Sequence, residues 1–160
     1  MSKISIIMGS QSDLETVQSA IEVLKEFGVR FDLKVLSAHR TPQELKRYVE
    51  ISHKKGSKVF IAAAGGSAAL AGVIASHTTL PVIGIPIETK SLGGMDSLLS
   101  TVQMPGGIPV GCMAIGSAGA KNAALFALEI LGAFDPKVEQ KLKEYRSRAR
   151  AKIKAIKLKT

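Results

Sequence analysis

Five short apolar runs, each broken by glycine, proline or small polar residues before a helix-patterned stretch, constrain this 160-residue chain most. The runs are residues 3–8, 30–36, 58–63, 81–86 and 110–115. Each has the length of a strand, and residues 3–8 read as a buried one. Between them, apolar residues recur at helical spacing. Leu14, Val17, Ile21, Leu24 and Phe27 mark one inward face, which Gly28 ends. Leu45, Tyr48 and Val49 mark a second over residues 42–55, with Lys54 and Lys55 at its negative end and Gly56 as cap. Further helices are expected over residues 68–77, 96–102 and 118–131. Parallel strands joined by right-handed helical crossovers bury both faces of their sheet. The pattern therefore predicts an α/β fold with a doubly wound, parallel, five-stranded sheet in the order 2-1-3-4-5. The domain should span residues 1–134, with no internal repeat.

Residues 135–160 follow a complete sheet domain. Asp135-Pro136 opens another helix, with Val138, Leu142, Tyr145, Ala149, Ile153 and Ile156 along one stripe. This basic helix and tail should pack on its own body or on another subunit, and a homo-oligomer is expected. The net charge of +9 is concentrated here. Residues 137–160 carry ten basic and two acidic side chains, and the other 136 residues carry twelve and eleven. A solvated helix face accounts for such a run, and no aromatic platform or nucleic-acid motif accompanies it. Neither nucleic acid nor membrane is expected as a partner. No apolar run reaches the length of a membrane span. The start, Met1-Ser2-Lys3-Ile4, lacks a signal-peptide pattern. One cysteine, Cys112, excludes an internal disulfide and suits a reducing compartment. The expected location is the cytoplasm.

Function should lie at the carboxyl edge of the sheet, where open α/β sheets bind ligands. Residues 37–40, Ser-Ala-His-Arg, fall there. Thr41-Pro42-Gln43-Glu44 then reads as a helix start with Thr41 as N-cap and Glu44 at the capping-box position. The loop pairs an imidazole, which carries protons near neutral pH, with a guanidinium, which can fork onto phosphate. After the first strand come Gly9-Ser10-Gln11-Ser12-Asp13. Gly9 allows close backbone approach, Ser10 and Ser12 offer hydroxyls at an anion-favouring helix start, and Asp13 could accept from a ribose hydroxyl. Ser12 or Asp13 could equally serve only as helix cap. The motif is neither a P-loop nor a dinucleotide fingerprint. After the third strand, Ala64-Gly65-Gly66-Ser67 could wrap a ligand with its amides or form a plain turn. Residues 90–94 and 104–107 are glycine-rich and could be lids or surface loops. His53 and His77 fall in expected helices as surface or packing residues, and Cys112 in a buried strand as inert core. The histidines lack metal-ligand spacing, and no metal is expected.

Together these segments are similar to one family. Residues 7–13 (Ile-Met-Gly-Ser-Gln-Ser-Asp), 37–42 (Ser-Ala-His-Arg-Thr-Pro), 64–66 (Ala-Gly-Gly) and 96–110 (Asp-Ser-Leu-Leu-Ser-Thr-Val-Gln-Met-Pro-Gly-Gly-Ile-Pro-Val) resemble the bacterial N5-carboxyaminoimidazole ribonucleotide mutases of purine biosynthesis, the class I PurE family. The likeness runs from residue 3 to about residue 145, in order. It implies a flavodoxin-like sheet, an octamer with the C-terminal helix crossing to neighbouring subunits, and no cofactor. It implies that the carboxylate of N5-carboxyaminoimidazole ribonucleotide moves to C4, giving 4-carboxy-5-aminoimidazole ribonucleotide. It implies that Ser10, Ser12 and Arg40 hold the phosphate and Asp13 the ribose. His39 would be acid and base, and Ser37, Ala64 and Gly65 would line the imidazole and carboxylate pocket. One stretch departs from the pattern. Where the family reads Gly-Gly-Ala-Ala-His-Leu-Pro-Gly, residues 65–72 place Ala69 for the His and Ala71 for the Pro. Because His39 is present, activity is expected to survive. The alternatives are a related aminoimidazole ribonucleotide carboxylase using carbon dioxide directly, a non-catalytic nucleotide or flavin binder, and a nucleic-acid binder acting through the tail.

Overall fold

The computed structural model describes residues 3–157. Met1 and Ser2, part of the expected leaderless start, and residues 158–160, the end of the basic tail, lie outside the described residues. The elements in chain order are β1 (Ile4–Met8), a 3-10 turn (Gln11–Asp13), α1 (Leu14–Phe27), β2 (Phe31–Val35), α2 (Pro42–Lys54) and β3 (Val59–Ala64). There follow α3 (Leu70–Ser76), β4 (Val82–Pro86), α4 (Met95–Val102), β5 (Gly111–Cys112), α5 (Gly116–Gly132) and α6 (Pro136–Lys154). The chain contains two compact units, Met1–Ala127 and Leu128–Thr160.

In the first unit the five strands form one parallel sheet in the order β2-β1-β3-β4-β5, the expected flavodoxin-like arrangement. Ile6, Ile61 and Ile83 stand in register across the three middle strands. Their neighbours Ile7, Phe60, Ala62 and Val82 belong to a core cluster with Leu45 and Val49 of α2 and Leu70 and Ile74 of α3. Side chains alternate along a strand, so the isoleucine row faces the other way. Both sets are buried, which is why these strands read as continuous apolar runs rather than alternating ones. Ser5 is the polar exception. Its hydroxyl meets that of Ser57 at 2.7 Å, so neither buried oxygen lacks a partner.

Several local expectations change. The fifth strand is paired only at Gly111 and Cys112, not over 110–115. Pro109 has no N–H to offer, and Gly116 (φ 78°) already turns the chain into α5. Cys112 thus lies on a short edge strand and is half-buried, not in the core; burial still pushes its thiol up. Helix α3 begins at Leu70, two residues later than expected, with Ala69 at its N-cap and no capping side chain, and His77 falls one residue past its end. Leu14, at the first position of α1, is exposed, whereas Val17, Ile21, Leu24 and Phe27 are buried.

Gly84 sits in the middle of β4, and a Cβ there would come within 2.3 Å of the Thr101 methyl. Only hydrogen fits, and this lets α4 lie close on the strand. In the second unit, Val138 and Leu142 are buried and Arg146 pairs with Glu129. The same apolar stripe continues into Ile153 and Ile156, which are exposed.

Candidate active site

The loops leaving β1, β2, β3 and β4 enclose a cleft of about 570 Å³. All eight residues singled out from the sequence line it: Ser10, Ser12, Asp13, Ser37, His39, Arg40, Ala64 and Gly65. Parallel strands place all their carboxyl ends on one edge, so loops far apart in sequence meet there.

The loop from Ser37 to Thr41 builds its own frame. Thr41 occupies the N-cap of α2, but its hydroxyl does not cap the helix. It accepts from the Ser37 N–H at 2.9 Å and donates to the Ser37 carbonyl at 3.1 Å. The Thr41 N–H also donates to that carbonyl at 3.0 Å, and the Arg40 N–H donates to the Ser37 hydroxyl at 3.2 Å. The expected capping box is therefore replaced by a clamp that closes the loop on itself. The His39 ring takes no part in this frame. The Arg40 guanidinium reaches across to the first loop, where Nη2 donates to the Gly9 carbonyl at 2.9 Å.

The first loop is a capping box of its own. Ser10 accepts at Oγ from the Ser12 N–H at 3.3 Å, and the Asp13 carboxylate accepts from the Ser10 N–H at 3.1 Å. The Ser12 hydroxyl donates to Ser10 Oγ at 2.9 Å. Capping and cleft lining are thus the work of the same residues, not alternatives. Asp13 is buried, and burial raises its carboxyl above the usual range. The Ser10 N–H, the Ser12 hydroxyl and the charge of Arg40 pull it partly back.

A raised carboxyl has a defined linkage. The fold holds this proton more tightly than the unfolded chain does, so the contribution to stability is present below the ordinary value of 3.8 and is lost as pH rises through the raised one. At neutral pH the ionised group costs stability. Asp13→Asn should therefore melt no lower than wild type at pH 7, and any gain should vanish as the pH falls to 4. If Asp13 accepts from substrate, the same variant should raise KM about tenfold or more, the worth of a hydrogen bond to a charged group. Melting curves at both pH values, with steady-state kinetics, check both halves.

The cleft also contains residues not singled out from the sequence. Ile87, Glu88 and Thr89 form the wall after β4, and Leu70, beside the already noted Ser67 and Ala69, extends the wall after β3. The carboxyl-edge rule that found the first three loops applies equally to the loop after the fourth strand, so the signal was present. Among the described residues, no three His, Cys, Asp or Glu side chains gather as a metal site requires, and no helix is long and apolar enough to cross a membrane.

What this arrangement offers is an imidazole, a guanidinium, a hydroxyl-rich turn and a glycine loop around one cleft. That set suits an anionic ligand with a polar ring. Similarity to known proteins agrees. A profile of the AIR carboxylase family matches residues 3–152. The N5-carboxyaminoimidazole ribonucleotide mutase of Bacillus subtilis is 52% identical over 150 residues, covering 94% of this chain and 93% of that one. The mutase of the same name from Pyrococcus abyssi is 54% identical over 146 residues, covering 91% and 83%. The crystal structure of Treponema denticola PurE superposes with a TM-score of 0.85 at 28% identity, covering 94% and 92%. With a family profile spanning nearly the whole chain and relatives sharing half its residues, this chain belongs to the AIR carboxylase family.

Proposed function

We propose that the chain is an isomerase that converts N5-carboxyaminoimidazole ribonucleotide into 4-carboxy-5-aminoimidazole ribonucleotide, a step of purine biosynthesis. The observation that carries this is the convergence of His39 and Arg40 with the serine turn and the Ala64-Gly65 backbone on one cleft, in a chain half identical to mutases.

In this reading Ser10, Ser12 and Arg40 hold the phosphate, Asp13 accepts from the ribose, and Ser37, Ala64 and Gly65 line the ring and carboxylate end. His39 is the acid and base. As the N5–carboxylate bond breaks, its electron pair stays on nitrogen, which takes the His39 proton, and carbon dioxide is released into the cleft. The enamine-like C4 then attacks that carbon dioxide. The C4 proton returns to His39 and aromaticity is restored. One proton leaves His39 and one comes back, so a single group serves both halves. The reaction depends on holding carbon dioxide near C4, which demands orientation and exclusion of water.

The assay is direct. Fresh N5-carboxyaminoimidazole ribonucleotide should isomerise without added bicarbonate. Carboxylation of aminoimidazole ribonucleotide only in the presence of bicarbonate, with no isomerisation, would instead identify the carboxylase. Ala69 lines the cleft where the family pattern has His. Ala69→His should raise kcat, by up to about tenfold if the missing side chain helps confine carbon dioxide. Unchanged kcat would show the native loop to be fully competent.

A cytoplasmic homo-octamer is part of the same proposal. Support comes from α4, whose Met95, Leu99 and Val102 are exposed at helical spacing beside exposed Leu92. Such a patch on a soluble surface marks a contact. The exposed Ile153 and Ile156, at the end of the apolar stripe, fit a C-terminal segment, residues 135–160, whose helix α6 reaches a neighbouring subunit.

A further inference from the structure

Ser97 stands behind the cleft wall, in the first turn of α4, and is fully buried. Its hydroxyl donates to the Ile87 carbonyl at 2.7 Å and accepts from the Gly66 N–H at 2.9 Å. Ile87 belongs to the wall after β4, and Gly66 joins Gly65 and Ser67, which line the wall after β3, without lining the cleft itself. One hydroxyl therefore ties two walls together. Its neighbours tie α4 to the wall after β4 only. Thr89, in the cleft wall, donates from Oγ1 to Asp96 at 2.9 Å, while the Ser100 hydroxyl gives its one proton to the Asp96 carbonyl at 2.7 Å and stands 3.3 Å from the Gly66 carbonyl. None of these bonds involves the serine turn or Arg40 at the other end.

We propose, resting on the mutase activity put forward above, that Ser97 is a positioning residue. It latches the glycine loop against the loop after β4, and so sets whether carbon dioxide released in the cleft is recaptured by C4 or lost.

The physical reason is the cost of leaving polar groups unmet. Without the hydroxyl, the Gly66 N–H and the Ile87 carbonyl lose their shared partner, and only water or a moved loop can supply another. Gly66 has φ 68°, and a Cβ there would meet nothing within 4 Å, so side-chain packing at this position does not hold the loop in place. Recapture competes with escape. Opening this wall speeds escape while leaving His39 and the phosphate clamp untouched. If carbon dioxide escapes after the N5–C bond breaks, N5 keeps the electron pair and the proton, and aminoimidazole ribonucleotide leaves the enzyme. If it is retained, the C4–C bond forms and C4 gives up its proton.

The experiment measures this partition. N5-carboxyaminoimidazole ribonucleotide is supplied to wild type, Ser97→Ala and Ser97→Thr. The C4-carboxylated product and aminoimidazole ribonucleotide formed above the enzyme-free rate are both counted. Ser97→Ala should raise the ratio of leaked to carboxylated product about fivefold, with KM little changed, and Ser97→Thr, which keeps a hydroxyl, should restore part of it. A folded Ser97→Ala whose partition equals wild type, even with lower kcat, overturns the proposal. If that variant does not fold, Ser97→Cys, which keeps the shape but bonds weakly through its thiol, decides in its place: a raised leak supports the latch and an unchanged one overturns it. Wild type that never isomerises this substrate would sink the activity itself, a different result from an unchanged partition.

Discussion

His39→Asn should lower kcat by about 10²–10⁴-fold, the usual worth of a positioned acid–base group. Asparagine keeps a polar side chain of similar reach, but it cannot take a proton from C4 or give one to N5 near neutral pH. The loop itself should survive the change. Ser37, Arg40 and Thr41 hold it with bonds that do not involve the His39 ring. Arg40 keeps its bond to the Gly9 carbonyl, so the end of the cleft proposed for the phosphate also stays in place. Substrate affinity should accordingly remain within about threefold of wild type, the pattern of a group used in the transition state and not in binding. Steady-state kinetics together with calorimetric titration of the 4-carboxylated product separate the two effects. Turnover within tenfold of wild type would remove His39 from the chemistry. Loss of binding alongside turnover would assign it to the loop frame.

Gly119→Ala should cost about 3 kcal/mol of stability or more, which for a chain of this size lowers the melting temperature by about 10 °C. A Cβ at Gly119 would lie 1.6 Å from the Ala114 carbonyl oxygen and 2.6 Å from its carbon. Both are backbone atoms, so no side chain can swing aside. Either the first turn of α5 must lift or the segment leaving β5 must shift. Gly106→Ala is the matched control, because a Cβ there meets nothing within 4 Å. That variant should melt within about 2 °C of wild type. Thermal melts of the two variants side by side check the claim. Equal melting temperatures would mean that the crowding at Gly119 is relieved at no cost.

The strands, their order and the cleft loops were legible because each depends on short-range signals. A strand buried on both faces leaves a continuous apolar run, helices leave a three- and four-residue rhythm, and right-handed crossovers leave few ways to connect them. Once the carboxyl edge was known, Ser10, Asp13, Ser37, His39, Arg40 and Gly65 had to gather there. Chemical roles were a further step, and these came from the likeness of whole motifs rather than from spacing. The fifth strand is shorter than its apolar run, Val110 to Ile115, because pairing covers only Gly111 and Cys112 before the chain leaves the sheet for α5.

The amino-acid order by itself determined which segments become strands and helices and which loops share the active edge, since those outcomes follow from residues within a few positions of one another. Tertiary structure alone decided how the side chains in those loops are used. Thr41 turns from its helix to clamp Ser37, Arg40 reaches 31 residues back to Gly9, and Ser97 spans the same separation to Gly66. Gly84 and Gly119 are required where another part of the chain comes too close for a methyl group. Each of these depends on distances between segments that approach one another only after the sheet has formed, and no local pattern encodes such a distance.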